Sequence, residues 1–173
     1  MAKYYPIEYW LLQVDDAEKV NAAIWDEYQS AQDEPAVHRS HYFEGRYENV
    51  YMDEHLVPSL GPVLTAALEG ARDLLGDKGL QLKAGFWFNE MRPGDVTLPH
   101  DHDEDDELLS AAYYVRVPPG SGQLVLGRGD QAVTLMPVEG RLVFFRPGVV
   151  HEVTRNLSTA VRLSVGINFG SVS

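Results

Sequence analysis

Gly140-Arg141-Leu142-Val143-Phe144-Phe145-Arg146-Pro147-Gly148-Val149-Val150-His151 and, shortly after it, Val161-Arg162-Leu163-Ser164-Val165-Gly166-Ile167-Asn168-Phe169 are the runs on which the fold turns. Both are rich in β-branched and aromatic residues, and Pro147-Gly148 breaks the first into a strand, a tight turn and the start of another strand. Alternate side chains of an extended chain share a face, so Arg162, Ser164 and Gly166 point one way and Leu163, Val165 and Ile167 the other. A guanidinium on the inner face of such a strand wants an anion and grips a carboxylate with two parallel hydrogen bonds. On the outer face it would only pair with a surface acid.

Working outward from these runs, the chain after Gly79 is cut at short intervals by Pro and Gly. We read strands at 80–90, 95–100, 108–117, 123–126, 132–135, 141–146, 151–155 and 162–169. About eight short strands imply a sandwich or barrel closing around a pocket. Upstream the pattern is helical. Asp15 with Glu18 three residues later suggests a capping box, and Val20, Ile24 and Tyr28 fall on one face of a helix ending before Pro35. Leu60, Leu64, Ala67, Leu68, Ala71 and Leu75 mark a second helix, with Gly76 as its stop. The stretch from His38 to Tyr51 has no clear period and reads as a loop or a short strand pair. Helices first and strands afterwards make the chain α+β by order, mainly β by core. We expect a single domain over 1–173, with 1–79 a helical buttress and entrance region and 80–173 the β core.

The bulk numbers agree. With 173 residues, 45% of them hydrophobic, the chain fills one core and is short for two. Fourteen Lys and Arg stand against 26 Asp and Glu, and a net charge of -12 repels nucleic acid and anionic membranes. With no cysteine, disulfides, zinc-thiolate sites and thiol catalysis are all excluded, and any metal must sit on His, Asp, Glu or water. Met1 to Trp10 shows neither a basic start nor a long apolar run, so no signal peptide or membrane span is expected and the cytoplasm is the default location.

The densest chemical signal is Pro99-His100-Asp101-His102-Asp103-Glu104-Asp105-Asp106-Glu107. On an extended segment His100, His102 and Glu104 share a face, so His-x-His and His-x-Glu are both sensible chelating pairs. The plain alternative is an acidic loop that solvates itself. A bound cation would ease the repulsion among so many carboxylates. His151, delivered by the Pro147-Gly148 turn, supplies the missing third partner if a barrel brings distant strands together; alone it would read as structural. Two histidines and a carboxylate, or three histidines, leave open positions on Fe(II) for oxygen chemistry. Trp87 and Asn89 are placed to face such a pocket, although core packing explains Trp87 equally well. His38, His41 and His55 read as surface or structural, with His41, Tyr42 and Arg46 as candidates for a substrate entrance.

The order His-x-His, Ser110-Ala111-Ala112-Tyr113-Tyr114-Val115, Gly122-x-Leu124, Gly140-x-Leu142-Val143-Phe144-Phe145, Pro147-Gly148-x-x-His151-x-Val153 and Arg162-x-Ser164 resembles the 2-oxoglutarate and Fe(II)-dependent dioxygenases, including prolyl-hydroxylase-like members. The likeness covers roughly the last half of the chain. It implies a double-stranded β-helix, or jelly-roll, barrel with iron on histidines, and with Arg162, Ser164 and Tyr114 holding the distal carboxylate of 2-oxoglutarate. It also implies O₂ as cosubstrate and a small molecule or peptide as substrate, most commonly hydroxylated, with succinate and CO₂ as coproducts. Tyr114 reads equally well as a core aromatic.

The first ligand pair departs from that family's His-x-acid. We favour His100, His102 and His151, with Glu104 as the carboxylate if His102 opens the motif. The same departure resembles the cupins, where Glu107 follows His102 and Gly140 to His151 approximates their second motif. A noncatalytic barrel that binds a ligand or partner is the third reading. Exposed strand edges are compatible with a homodimer.

Overall fold

The strand-like runs pair as antiparallel ladders in the computed structural model, which describes residues 6–102 and 106–172. The larger sheet contains β1 (Tyr9–Gln13), β2 (His38–Phe43), β3 (Arg46–Tyr51), β4 (Leu82–Met91), β6 (Glu107–Arg116), β9 (Arg141–Phe145) and β11 (Arg162–Ser171). Its order is β1-β9-β6-β11-β4-β3-β2. The smaller sheet is built from β5 (Thr97–His100), β7 (Leu124–Leu126), β8 (Val133–Leu135) and β10 (His151–Val153), in the order β5-β10-β7-β8. Strands β4 to β11 are the eight expected from the sequence, with ends displaced by a few residues, where pairing frays and pattern says least.

Alternation divides the larger sheet into two faces. Leu163, Val165, Ile167 and Phe169 of β11, Leu109, Ala111, Tyr113 and Val115 of β6, and Leu142 and Phe144 of β9 turn outward into the main core. There they meet helices α1 (Ala17–Ser30) and α2 (Gly61–Leu75). At Gly70 of α2 an added Cβ would lie 3.0 Å from the Phe144 ring, so this glycine sets how closely helix and sheet approach. The Tyr113 hydroxyl donates to Asn21 Oδ1 at 2.6 Å, and Asn21 Nδ2 donates to the Tyr114 carbonyl at 3.1 Å, tying α1 to β6. The opposite face, with Tyr114, Val143 and Phe145, packs on Leu124 and Leu126 of the smaller sheet. The mainly β architecture with antiparallel sheets and two helices is therefore as read.

Two local expectations change. The capping box at Asp15 and Glu18 does not form: Asp16 occupies the position before the helix with φ 52° and makes no side-chain cap. Its carbonyl instead accepts the Val20 amide at 3.0 Å to start the ladder. The segment left open between His38 and Tyr51 is a hairpin, β2 on β3, turned at Glu44-Gly45 with φ 47° and 81°. β1, which the sequence reading did not identify, closes the far edge on β9.

Candidate metal centre and anion pocket

Two imidazoles are placed by sheet pairing. In the smaller sheet His151 of β10 lies opposite His100 of β5, so residues fifty-one apart in sequence face each other across one ladder. His102 is brought in by its backbone, whose N–H donates to the Pro147 carbonyl at 2.9 Å. The Pro147-Gly148 turn thus delivers His151 and also tethers the segment that carries His102. The three rings form a near-equilateral cluster, with centroids 4.2 Å apart for His100 and His151 and 5.0 Å for each of the other pairs. One ring nitrogen from each lies within 4.8 Å of the others.

His100 and His151 are held by the same local device. His100 Nδ1 lies 2.8 Å from the Leu98 carbonyl and His151 Nδ1 2.9 Å from the Val149 carbonyl, each two residues back. A carbonyl oxygen can only accept, so Nδ1 carries the proton and Nε2 is the nitrogen left for a metal. Burial, reinforced by the neighbouring His100, pushes His102 down to about 4 and His151 down to about 3. Both rings are therefore neutral at pH 7 with lone pairs available, the state in which imidazole binds a metal. Phe145 packs on His151 at 4.7 Å and Trp87 on His102 at 5.3 Å, walling two sides of the cluster.

A guanidinium occupies the interior of the same barrel. Arg162, the first residue of β11, is only 1% exposed. Its group lies 5.5 Å from the Tyr114 ring, and Tyr114 shares an apolar cluster with Phe145, the ring that packs on His151. Among the described residues Arg162 Nε and the Tyr114 hydroxyl are buried without a hydrogen-bond partner. Among the described residues the partner of Arg162 Nη1 is the Met91 sulfur at 3.9 Å. Desolvation pushes the Arg162 pKa down, and it pushes the Tyr114 hydroxyl up to about 12 despite the opposing pull of Arg162. A buried charge left this way costs several kcal/mol in order of magnitude, so the arrangement suits an acidic ligand that supplies the missing acceptors. Ser164, opposite Tyr114 on β6 and Asn89 on β4, is 9% exposed on the same face of β11. The Asn89 amide nitrogen donates to Thr97 Oγ1 at 3.2 Å, so Asn89 faces inward as read.

Several residues fall elsewhere. Glu104 lies outside the described residues. Glu107 lines the neighbouring cleft, where one carboxylate oxygen accepts from Asn168 Nδ2 at 2.6 Å, and it does not join the histidine cluster. Arg46, read as an entrance residue, is buried and structural: it donates to the carbonyls of Glu90 and Val96 at 2.7 and 2.6 Å and pairs with Asp95 at 3.4 Å. His41 does border the cleft, while Tyr42 is 67% exposed. Sequence reading missed Gly122, whose φ is 107° and whose added Cβ would meet the Thr154 carbonyl at 2.3 Å and Arg162 Nη1 at 3.1 Å. Only the Gly-x-Leu pattern hinted at it.

No protein-family model matches the sequence, and no curated protein matches it. Solved structures do share the fold. A prolyl-4-hydroxylase from Pseudomonas putida superposes with a TM-score of 0.72 at 23% identity, covering 96% of this chain and 94% of that one. The non-haem alpha-ketoglutarate-dependent carbocyclase SnoK of nogalamycin biosynthesis gives 0.75 at 17% identity, over 95% and 80%. A Trichoplax adhaerens prolyl hydroxylase, solved with a hypoxia inducible factor peptide fragment, gives 0.72 at 12% identity, over 94% and 83%. The class defined by fold is thus the jelly-roll barrel that this chain shares with the two prolyl hydroxylases and the alpha-ketoglutarate-dependent carbocyclase.

Proposed function

We propose that this chain is a non-haem Fe(II), 2-oxoglutarate-dependent oxygenase that hydroxylates a small molecule or a peptide side chain, with succinate and CO₂ as coproducts. One observation carries the reading: three clustered imidazoles and a buried guanidinium that has no carboxylate partner among the described residues sit in one barrel. Neither a structural role nor solvation explains both. No strand needs an uncompensated arginine for stability, since an apolar residue of similar volume is as good or better there.

We assign the iron to His100, His102 and His151, and the distal carboxylate of 2-oxoglutarate to Arg162 with Tyr114 and Ser164. When bound, iron with 2-oxoglutarate and O₂ supplies the oxidising chemistry. The chain's own part is placement and exclusion of water. The Leu98 and Val149 carbonyls fix the ring orientation of His100 and His151, as outer hydrogen bonds to ligating histidines commonly do. Arg162 offers a forked donor that selects a carboxylate and sets the direction of the acid in the barrel. Phe145 and Leu126 pack with Tyr114 in one buried apolar cluster, a low-dielectric setting that strengthens charge pairing. The helices on the outer face of the larger sheet are read as its support, and the whole chain as one domain working in the cytoplasm. Among the described residues no helix is long and apolar enough to cross a membrane. The exposed edges at β2 and β8 leave a homodimer open to test by light scattering.

Anaerobic titration with Fe(II) and then 2-oxoglutarate tests the reading. A weak visible charge-transfer band that forms only with both, followed by succinate on admission of air, is the expected result. Absence of the band and of succinate with any substrate would leave a noncatalytic barrel. Loss of the band in Glu104→Gln would move the second ligand to that carboxylate.

A further inference from the structure

A cleft of about 440 Å³ opens beside the histidine cluster, bordered by His100 and His102. Its walls come from separate elements: Glu48 and Tyr51 of β3, Trp87 of β4, Asp101 after β5, and Glu107 of β6. Three of these are carboxylates, and no lysine or arginine is among the described residues that line it. Charge alone would be weak ground in a chain of net charge -12, because acidic surfaces also serve solubility. What singles out this place is an aromatic corner between the acids.

Trp87 lies over β11 with Gly166 as its floor: a Cβ added at Gly166 would sit 2.4 Å from the indole. One side of the ring is spent on that backbone, and its centroid lies 5.3 Å from that of His102 and 6.4 Å from that of Tyr51, whose ring is tilted by 46° to it. The indole and phenol therefore form two walls of a corner that opens on the cleft. Glu107 is oriented by the neutral Asn168 amide at 2.6 Å. Glu48 is shared with Arg46 at 3.6 Å and accepts the Leu98 amide at 3.3 Å, so it is fixed in place while part of its charge is already used. Asp101 stands on the exposed rim. Aromatic faces flanked by carboxylates recognise a cation: the ring quadrupoles attract it from the sides and the acids set its sign. A neutral aliphatic group would find the aromatic walls but leave the carboxylates without a counter-charge.

We propose that the substrate of this site carries a cationic head, an ammonium or guanidinium, that seats against Trp87 and Tyr51 between Glu48, Asp101 and Glu107. The inference rests on the oxygenase reading only in calling the ligand a substrate; the cation pocket is a property of the chain itself.

Calorimetry of the full chain, anaerobic with Fe(II) and 2-oxoglutarate and again without either, tests it with three probes. These are Nα-acetyl-lysine methylamide, Nα-acetyl-arginine methylamide and the uncharged isostere Nα-acetyl-norleucine methylamide. At least one cationic amide should bind on the order of tenfold more tightly than the norleucine amide, with an advantage that shrinks as salt rises. Asp101→Asn, on the exposed rim where folding is not at stake, should cut that advantage roughly threefold, and Trp87→Leu should cut it further. Equal affinity for the norleucine amide, no binding of either cation, or an advantage untouched by both substitutions overturns the proposal. Decarboxylation of 2-oxoglutarate is read separately. Cation-selective binding without any turnover would sink the oxygenase reading and leave the pocket standing. Turnover stimulated only by uncharged compounds would do the reverse.

Discussion

The two ends of the barrel interior are built by different means. At the histidine end, each of two rings is held by a carbonyl two residues back in its own chain, and a turn ties in the third. At the arginine end no such local partner exists among the described residues: Arg162 is placed by the register of β11 against Met91 of β4 on one side, with its neighbour Leu163 opposite Arg116 of β6 on the other. At the first end two of the three rings are already oriented before any ligand arrives, whereas the second holds, among the described residues, a guanidinium nitrogen and a hydroxyl that wait for acceptors. Stability and binding should therefore respond in opposite ways to substitutions at the two ends.

The largest effect is expected at the histidines. His151→Ala removes one of three donors from a cluster whose atoms lie within 4.8 Å. Loss of an outer partner of a ligand typically costs 10–100-fold in metal affinity, so loss of the ligand itself should exceed about 100-fold. Competition titration with Co(II) against a chromophoric chelator measures it. Unchanged affinity would remove His151 from the site.

At the other end, Arg162→Met should separate binding from stability. Removing one partner of a buried ion pair costs about 3–5 kcal/mol, so 2-oxoglutarate affinity should fall by at least roughly a hundredfold in anaerobic calorimetry. The ligand-free variant should unfold at the same or a higher temperature, because the unpaired charge is gone and volume is kept. A variant that binds the acid normally would place the cosubstrate elsewhere, and one that loses stability without it would make Arg162 structural.

Acid should weaken the histidine end in the metal-free protein. His102 and His151 bind protons in the folded state only near pH 4 and 3, but near pH 6.5 when unfolded. Between those limits the unfolded chain holds more protons, so stability is full above about pH 6.5 and falls as pH drops toward 4. His151, the more buried of the two, gives a slope approaching about 1.4 kcal/mol per pH unit, and the partly solvated His102 adds a smaller part. Urea midpoints across that range should show it, and His151→Gln should flatten it by more than half. A metal-free protein equally stable at pH 4.5 and 7 would contradict the burial of these rings.

The same contrast explains what the sequence made legible. The histidine end could be read because its signals are local: a His-x-His pair, a Pro-Gly turn, and a histidine at a strand start. Strand alternation made the inward side of Arg162 and Ser164 equally visible. Gly122 stood out only as part of a Gly-x-Leu pattern, since its role depends on Thr154 and Arg162, brought against it from more than thirty residues away. Glu48 and Tyr51 were not visible, because their hairpin has little hydrophobic alternation, β2 being a largely exposed edge strand. β1 escaped for a related reason, being a short edge strand whose partner, β9, lies at the other end of the chain. Arg46 was misassigned because an arginine in a polar segment gives no sign that two backbone carbonyls and Asp95 will enclose it.

The smallest effect is the finest probe of the arginine end. Ser164→Ala deletes a hydroxyl that is 9% exposed beside Tyr114 and Asn89. One hydrogen bond to a charged acceptor contributes about 1.5–3 kcal/mol, but Arg162 and Tyr114 can take up much of the same carboxylate. A loss of about three- to tenfold in 2-oxoglutarate affinity is therefore expected, with little change in metal affinity. The double variant with Tyr114→Phe settles whether the two hydroxyls share one acceptor. If they do, the second deletion will cost more after the first than alone, because the surviving donor no longer compensates. Strict additivity would mean that Ser164 and Tyr114 act on different groups, and the acid would then lie across β11 instead of along Arg162.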